Sequence, residues 1–341
     1  MTTNSSPSPG TQSSTGRDEQ PTESARIIQS RTHELSPGFS IRRALPTREQ
    51  RMIGAWCFLD HIGPAKFDFS GELNEKASAH RPTGMHVGAH PHIGLQTFTW
   101  MLEGQIRHRD SLGYNQVIRP GQVNLMTAGK GVSHTEDSLP GETHLHGAQL
   151  WIALPPEKET IAPAFQHYSR LPEWRAGGLH YTLLAGQFKN QTSPVEVHSP
   201  LLGLDVFAPN GGATAVLPLN PTFEHGIMVL NGEVQLISQT QQTQNAAQTQ
   251  QNGIQRITPG ALAYWPPGIN TITVYLSPGT RLLLIGGHPF PEPVKMWWNF
   301  VSASTDNLRQ AVRDWNEFHP RFGVVRTQNH RRLISPNYPG T

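Results

Sequence analysis

The chain has 341 residues, with 27 Lys and Arg against 25 Asp and Glu for a formal net charge of +2. That length predicts two domains of ordinary size, and the charge balance excludes DNA binding through charge alone or attraction to an anionic membrane. The single cysteine, Cys57, excludes an intrachain disulfide and a zinc-thiolate cluster.

No apolar run approaches the roughly 20 residues a membrane span requires, and no basic stretch leads into an apolar one at the start, so a cytoplasmic protein is expected. The 32 Gly and 29 Pro, set against modest helical patterning, predict many short strands joined by tight turns. The expected class is all-β.

Residues 1–24 are Ser, Thr, Pro, Gly and Gln with little that is apolar, and predict a disordered tail. From Ala25 the text becomes strand-like, through Arg26-Ile27-Ile28, Phe39 to Leu45 and Trp56 to Asp60. Cys57 lies in the last of these as an expected buried, inert thiol. Asp60-His61-Ile62-Gly63-Pro64 is expected to turn the chain, and the polar stretch 68–83 to form a loop.

Next comes the stretch from Met85 to Glu136, which holds His90-Pro91-His92 and His134-Thr135-Glu136. On strands, period-2 geometry puts the side chains of each pair on one face. Two such strands side by side would aim three imidazoles and one carboxylate at one point, a ligand set for a divalent metal with positions left open. Thr97 to Leu102, Gln105 to Ser111, Val123 to Met126 and Gln149 to Leu154 are the surrounding strands. His144 and His146 repeat the His-x-His spacing, but one metal needs one set, so His144 reads as surface and His146 as a packing neighbour. Asp60 and His61 read as structural hydrogen-bonding partners, and His86 and His108 as residues of a pocket mouth or of the solvent face.

Residues 157–194 read as a connection, after which strands resume at Leu204 to Ala208, Ala213 to Leu217 and Gly226 to Leu230. Met228 to Val234 resembles Trp100 to Ile106, and Ile257 to Gly260 resembles Ile118 to Gly121, a weak internal repeat of one barrel unit. Aligned on its turns, the second unit sets Pro218 and Asn220 opposite His90 and His92, and Thr273 and Tyr275 opposite His134 and Glu136. None of these makes a ligand set, and His225 reads as an ordinary strand residue. The Gln-rich tract 239–252 accounts for the extra length of the second unit as a surface loop. Thr305 is expected to cap a helix through Leu308, Val312 and Trp315, and the text beyond Pro320 reads as a solvated, mildly basic terminus.

Gly84, five residues, then His90-x-His92 fits the first cupin motif. The words HPHIG, RHRDSLG, MTAGKGVSHTE and HGAQLW resemble the pirin family of bicupins, and GGHPFPEPVKMWWNFV resembles its C-terminal domain. The resemblance covers Ile27 to about Phe318. It implies two cupin-type, jelly-roll β-barrels packed together: a metal-binding domain at 25–156, the connection at 157–194, a second cupin without ligands at 195–300, and a short helix and tail at 301–341.

Carried over, the ligands are His90, His92, His134 and Glu136, and the ion is Fe(II), with Mn, Ni and Zn equally compatible with the spacing. Gln96 replaces the Glu of the general cupin motif and Ile93 the usual Arg; neither is a ligand in the family. The implied activity is a dioxygenase on a quercetin-type flavonol or a related enediol, with Glu136 as general base and carbon monoxide released. The alternative role is a metal- or redox-dependent regulator that binds a partner enzyme or transcription factor, without direct nucleic-acid contact.

Overall fold

The structure is a computed structural model and describes residues 24–36, 39–67, 84–237, 255–292, 294–327 and 331–339. The expected tail (apart from Ser24), the loop at 68–83 and the Gln-rich loop at 239–252 lie outside the described residues.

Two barrels are built on one plan. In the first, a four-stranded sheet runs in the order His86–His92, Val132–Ser138, Ile106–Asp110, Asn115–Ile118. It faces a seven-stranded sheet ordered Ala164–Tyr168, Val123–Thr127, Leu95–Glu103, His144–Ala153, Trp56–Lys66, Phe39–Leu45, Arg31–Ser36. In the second, Ala213–Pro218, Thr271–Leu276, Val234–Ile237 and Gln255–Ile257 repeat the small sheet. Ala261–Trp265, Glu224–Asn231, Arg281–Gly287, Leu201–Phe207 and Leu179–Ala185 repeat the central order of the large one. The internal repeat read from two short words is therefore a repeat of whole topology.

The segments between and before the barrels are exchanged. Ala164–Tyr168 adds an edge to the first barrel's sheet, and Glu173–Ala176 with Leu179–Ala185 builds the second. The stretch 157–194 is thus more than a connection. Arg26–Gln29 crosses over to pair with Ala261–Trp265, covering an edge that would otherwise present unpaired backbone groups.

The barrels pack large sheet against large sheet. Leu95–Glu103 is buried at every position but its last, because one face fills its own barrel and the other meets the neighbour. Trp56, Phe98, Trp100 and Leu150 share one apolar cluster with Met228, Leu230, Leu283 and Ile285, each side chain stabilising by about 1.5–3 kcal/mol on burial. The Trp56 Nε1–H donates to the Leu202 and Gly286 carbonyls at 3.2 and 3.1 Å, tying the two barrels by polar contact as well.

Three local readings are corrected. The strand from Trp56 does not turn at Asp60 but runs to Lys66. A bulge opposite Leu145 and Gly147 absorbs Gly63, whose φ of +74° and approach to the Leu145 carbonyl leave no room for a side chain. The helix is Thr305–Asn316, and its cap is Ser304, whose side chain accepts from the Asn307 N–H. It buries Leu308, Ala311, Val312 and Trp315 against Ile93, Phe300 and Phe322 at the rim of the first barrel. Residues 331–339 fold back over that rim rather than standing in solvent: the Leu333 N–H donates to the Ala89 carbonyl at 2.9 Å, Trp315 Nε1–H donates to the Leu333 carbonyl at 2.8 Å, and Ser335 is buried.

In the second barrel the turn-based alignment is off by one residue, which on a strand exchanges the faces. Thr273 pairs with Val216 on the outer face, where Val216 is 57% exposed. Pro218 and Asn220 are likewise exposed, and Tyr275 is half-buried. The inward positions are Ala215, Leu217, Leu219, Ile272 and Val274, all in the apolar core.

Candidate metal centre

The first barrel's small sheet creates the cluster. His134 pairs directly with His90, and Val132 with His92, on antiparallel strands. A bulge between His134 and Glu136 shifts the pairing so that Glu136 faces Val87. All four candidate ligands line one cavity of about 380 Å³. The ligand atoms of His90, His92 and His134 lie within 4.8 Å of one another, and Glu136 forms a second group of that span with His134 and His108. The structure therefore brings all four together around His134, with His108 as an additional neighbour.

Backbone and side-chain partners fix the ring nitrogens. His90 Nδ1–H donates to the Gly88 carbonyl at 2.8 Å, and His92 Nδ1–H to the Asn299 carbonyl at 3.0 Å. A carbonyl only accepts, so both rings hold their proton on Nδ1 and turn a bare Nε2 inward. His108, in its neutral form, gives Nε2–H to Asp110 at 3.0 Å and takes Nδ1–H from His134 at 3.3 Å, leaving His134 Nε2 bare as well. Burial holds His92 and His134 well below the usual imidazole range and pushes His90 down to about 4, so the rings stay neutral.

The consequence is a donor set that suits a cation. The Nε2 atoms of His92 and His134 are 3.0 Å apart, and with both protons committed to Nδ1 their lone pairs oppose each other. A divalent ion accepting all three Nε2 lone pairs removes that conflict. Burial, with the charge of Asp137 second and Thr99 opposing, pushes the Glu136 carboxyl up to about 7. Such a group changes charge near neutrality.

Part of the wall is aromatic. Phe58 stacks on Trp151 at 3.9 Å between ring centroids, 11° from parallel. Arg43 lies over Phe58 and makes a two-bond pair with Asp60, both bonds 2.8 Å. Arg43 and Asp60 line the cavity, so Asp60 belongs to its wall and not only to the scaffold. Trp298, Asn299 and Leu333, from the C-terminal part, also line the cavity.

The remaining sequence candidates fall elsewhere. His144 is exposed, whereas His146 is buried with its Nε2 2.9 Å from that of His61. Gln96 bonds Thr127 and the Glu196 carbonyl, Ile93 packs on the helix cluster, and neither lines the cavity. His86 pairs with Asp137 at the partly exposed edge. Cys57 is fully buried, and burial pushes its thiol up to about 12, which makes it unreactive.

Sequence reasoning missed the His108–Asp110 pair and the place of Trp298, Asn299 and Leu333 in the cavity lining. The first had a signal, since His108-x-Asp110 has the same period-2 spacing as the ligand pairs. The second had none, because those residues arrive from some 200 positions downstream.

Comparison with known proteins gives consistent relatives. The Pirin family model matches residues 38–152, and the model of the Pirin C-terminal cupin domain matches residues 204–323. A Pseudomonas aeruginosa protein provisionally named as a quercetin 2,3-dioxygenase is 45% identical over 312 residues, covering 92% of this chain and 90% of its own. A pirin-like protein of Caulobacter vibrioides is 35% identical over 295 residues, 85% of this chain and 92% of its own. The crystal structure of a quercetin 2,3-dioxygenase from Acinetobacter baumannii superposes with a TM-score of 0.82 at 43% identity, over 93% of this chain and 97% of that one.

Proposed function

The chain belongs to the pirin family of bicupins, and on that premise we propose that its first barrel is an Fe(II)-dependent dioxygenase site for a quercetin-type flavonol or a related small enediol. The observation that carries the reading is the convergence of three proton-free Nε2 atoms on a buried cavity with a stacked aromatic wall. The relatives named for quercetin dioxygenation support the substrate class.

His90, His92, His134 and Glu136 would hold the metal, which when bound supplies Lewis acidity toward a substrate hydroxyl and a redox partner for dioxygen. The chain's own residues would do the rest. Phe58 and Trp151 offer a flat face to an aromatic ring, and the Arg43–Asp60 pair a polar contact at its edge. Glu136, partly detached from the metal or hydrogen-bonded beside it, would accept the enolic proton as general base. Leu333 and Trp298 add apolar surface to the cavity wall.

The test is oxygen uptake with quercetin after anaerobic loading with Fe(II) and verified occupancy. The proposal expects uptake with carbon monoxide release, abolished by His134→Ala and slowed in Glu136→Gln. Full iron occupancy without uptake on flavonols or enediols overturns it.

A further inference from the structure

The second barrel has a cavity of its own, lined in part by Leu202 and Leu219, which stand where the first barrel has Phe58 and His92, while Leu217, Ile272 and Val274 fill the positions of its other candidate ligands with apolar core. In the first barrel Trp151 pairs with Phe58 on one side and Thr97 on the other. In the second, Gly286 pairs with Leu202 and His225. The indole has become a glycine and the threonine an imidazole. The ring of His225 lies across the vacated position, so that a Cβ on Gly286 would come within 2.7 Å of its Cδ2 and 3.2 Å of its Nε2.

Beside it is a cavity of about 490 Å³, within the range of small-molecule sites. Leu201, Leu202, Leu219, Phe188 and Phe223 supply apolar walls, and His225 lies on its inner wall. His225 is fully buried, and neither ring nitrogen has a hydrogen-bond partner of normal geometry. Leaving buried polar atoms unpaired is costly, and a site built to pair them gains that much selectivity for a ligand with the matching group.

The chemistry of the ring selects the ligand. Burial, only partly offset by the Phe223 backbone, pushes His225 down to about 4. It is therefore neutral at physiological pH, with one nitrogen to donate and one to accept. Lys189, the charged residue of the lining, is exposed, so an anionic group set against the uncharged, buried ring still meets a large desolvation cost. A neutral hydroxyl satisfies either nitrogen, and the two phenylalanines favour an aromatic body.

We propose that the second barrel binds a small phenolic molecule in this cavity, with its hydroxyl hydrogen-bonded to His225 and its ring against Phe223 and Leu202. This site needs no metal and is independent of what the first barrel catalyses.

The experiment titrates phenol into the full chain carrying His134→Ala, which disables the first barrel's cluster. Binding is followed by calorimetry and by the ¹⁵N signals of the imidazoles. The expected result is one saturable site that shifts the signals missing from the His225→Leu spectrum. Affinity should fall at least tenfold in His225→Leu, and for toluene, which lacks the hydroxyl. Leu202→Trp leaves His225 in place but fills the cavity, and should abolish binding. No saturable binding, binding untouched by Leu202→Trp, or toluene bound as tightly as phenol each overturns the proposal.

Discussion

Asp110→Asn separates the support of the metal centre from the centre itself. Asp110 is buried, and its Oδ1 accepts the Leu112 and Tyr114 N–H groups at 2.9 and 3.0 Å while Oδ2 accepts from His108. Asparagine keeps the turn by leaving its carbonyl oxygen on those two donors. It then presents an NH₂ to His108 Nε2, so His108 must carry its proton on Nδ1, facing His134 Nδ1. His134 can answer only by moving its own proton to Nε2, the atom that the metal needs.

Loss of such a supporting partner typically lowers metal affinity 10- to 100-fold, about 1.4–2.8 kcal/mol. The assay is competition with a chelator of known affinity, alongside urea unfolding of the apo protein to confirm that the fold is intact. Affinity equal to wild type in Asp110→Asn, with His134→Ala unable to bind, would refute the proton chain.

Glu136 must be ionised to ligate, and its carboxyl sits up near 7, so metal affinity should rise about tenfold per pH unit below pH 7 and level off above it; a flat profile from pH 5.5 to 7 contradicts this. The apo protein's stability should move in the same sense for a different reason. His61, His146 and His225 are buried with pKa values depressed to about 3, 4 and 4. Between pH 6.5 and 4 the unfolded chain therefore binds more protons at these three rings, and their contribution to stability is full above 6.5 and falls with pH, by up to about 1.4 kcal/mol per unit for each, outweighing the opposite contribution of the raised Glu136 carboxyl. Urea midpoints that do not decrease over this window would argue against neutral burial of these rings. Gly88→Ala should lift the C-terminal strap, because a Cβ there would stand 2.3 Å from the Arg331 carbonyl; trypsin should cut at Arg331 and Arg332 faster, and an unchanged digestion rate would mean the strap is not seated as described.

The clustering of His90, His92, His134 and Glu136 was legible because period-2 spacing keeps each pair on one face of its strand, and the two strands are neighbours in the sheet. Counting across turns was less safe. A bulge or a one-residue difference in a loop leaves the composition unchanged but reverses a strand's faces, and this is why Thr273 and Tyr275 were aligned with ligands while Ile272 and Val274 fill the core. Exchange of segments was invisible for another reason. Arg26–Gln29 and Ala164–Tyr168 read as strands on local grounds, yet nothing local says which barrel's edge each will cover. The strap at 331–339 opens on two arginines and has no strand or helix period, and what holds it in place is non-local: hydrogen bonds to Trp315, Asn316, Trp297 and Ala89, Arg332 over the Trp315 ring and Tyr338 against Trp297.

The most direct test of the account is the number of divalent metal ions retained per chain after loading and desalting, measured by elemental analysis in wild type, in His134→Ala and in His225→Leu. The account predicts one ion in wild type and in His225→Leu, and none in His134→Ala. A wild-type chain that retains no metal, or a His134→Ala chain that retains it, would contradict the three-imidazole centre on which the proposed chemistry rests.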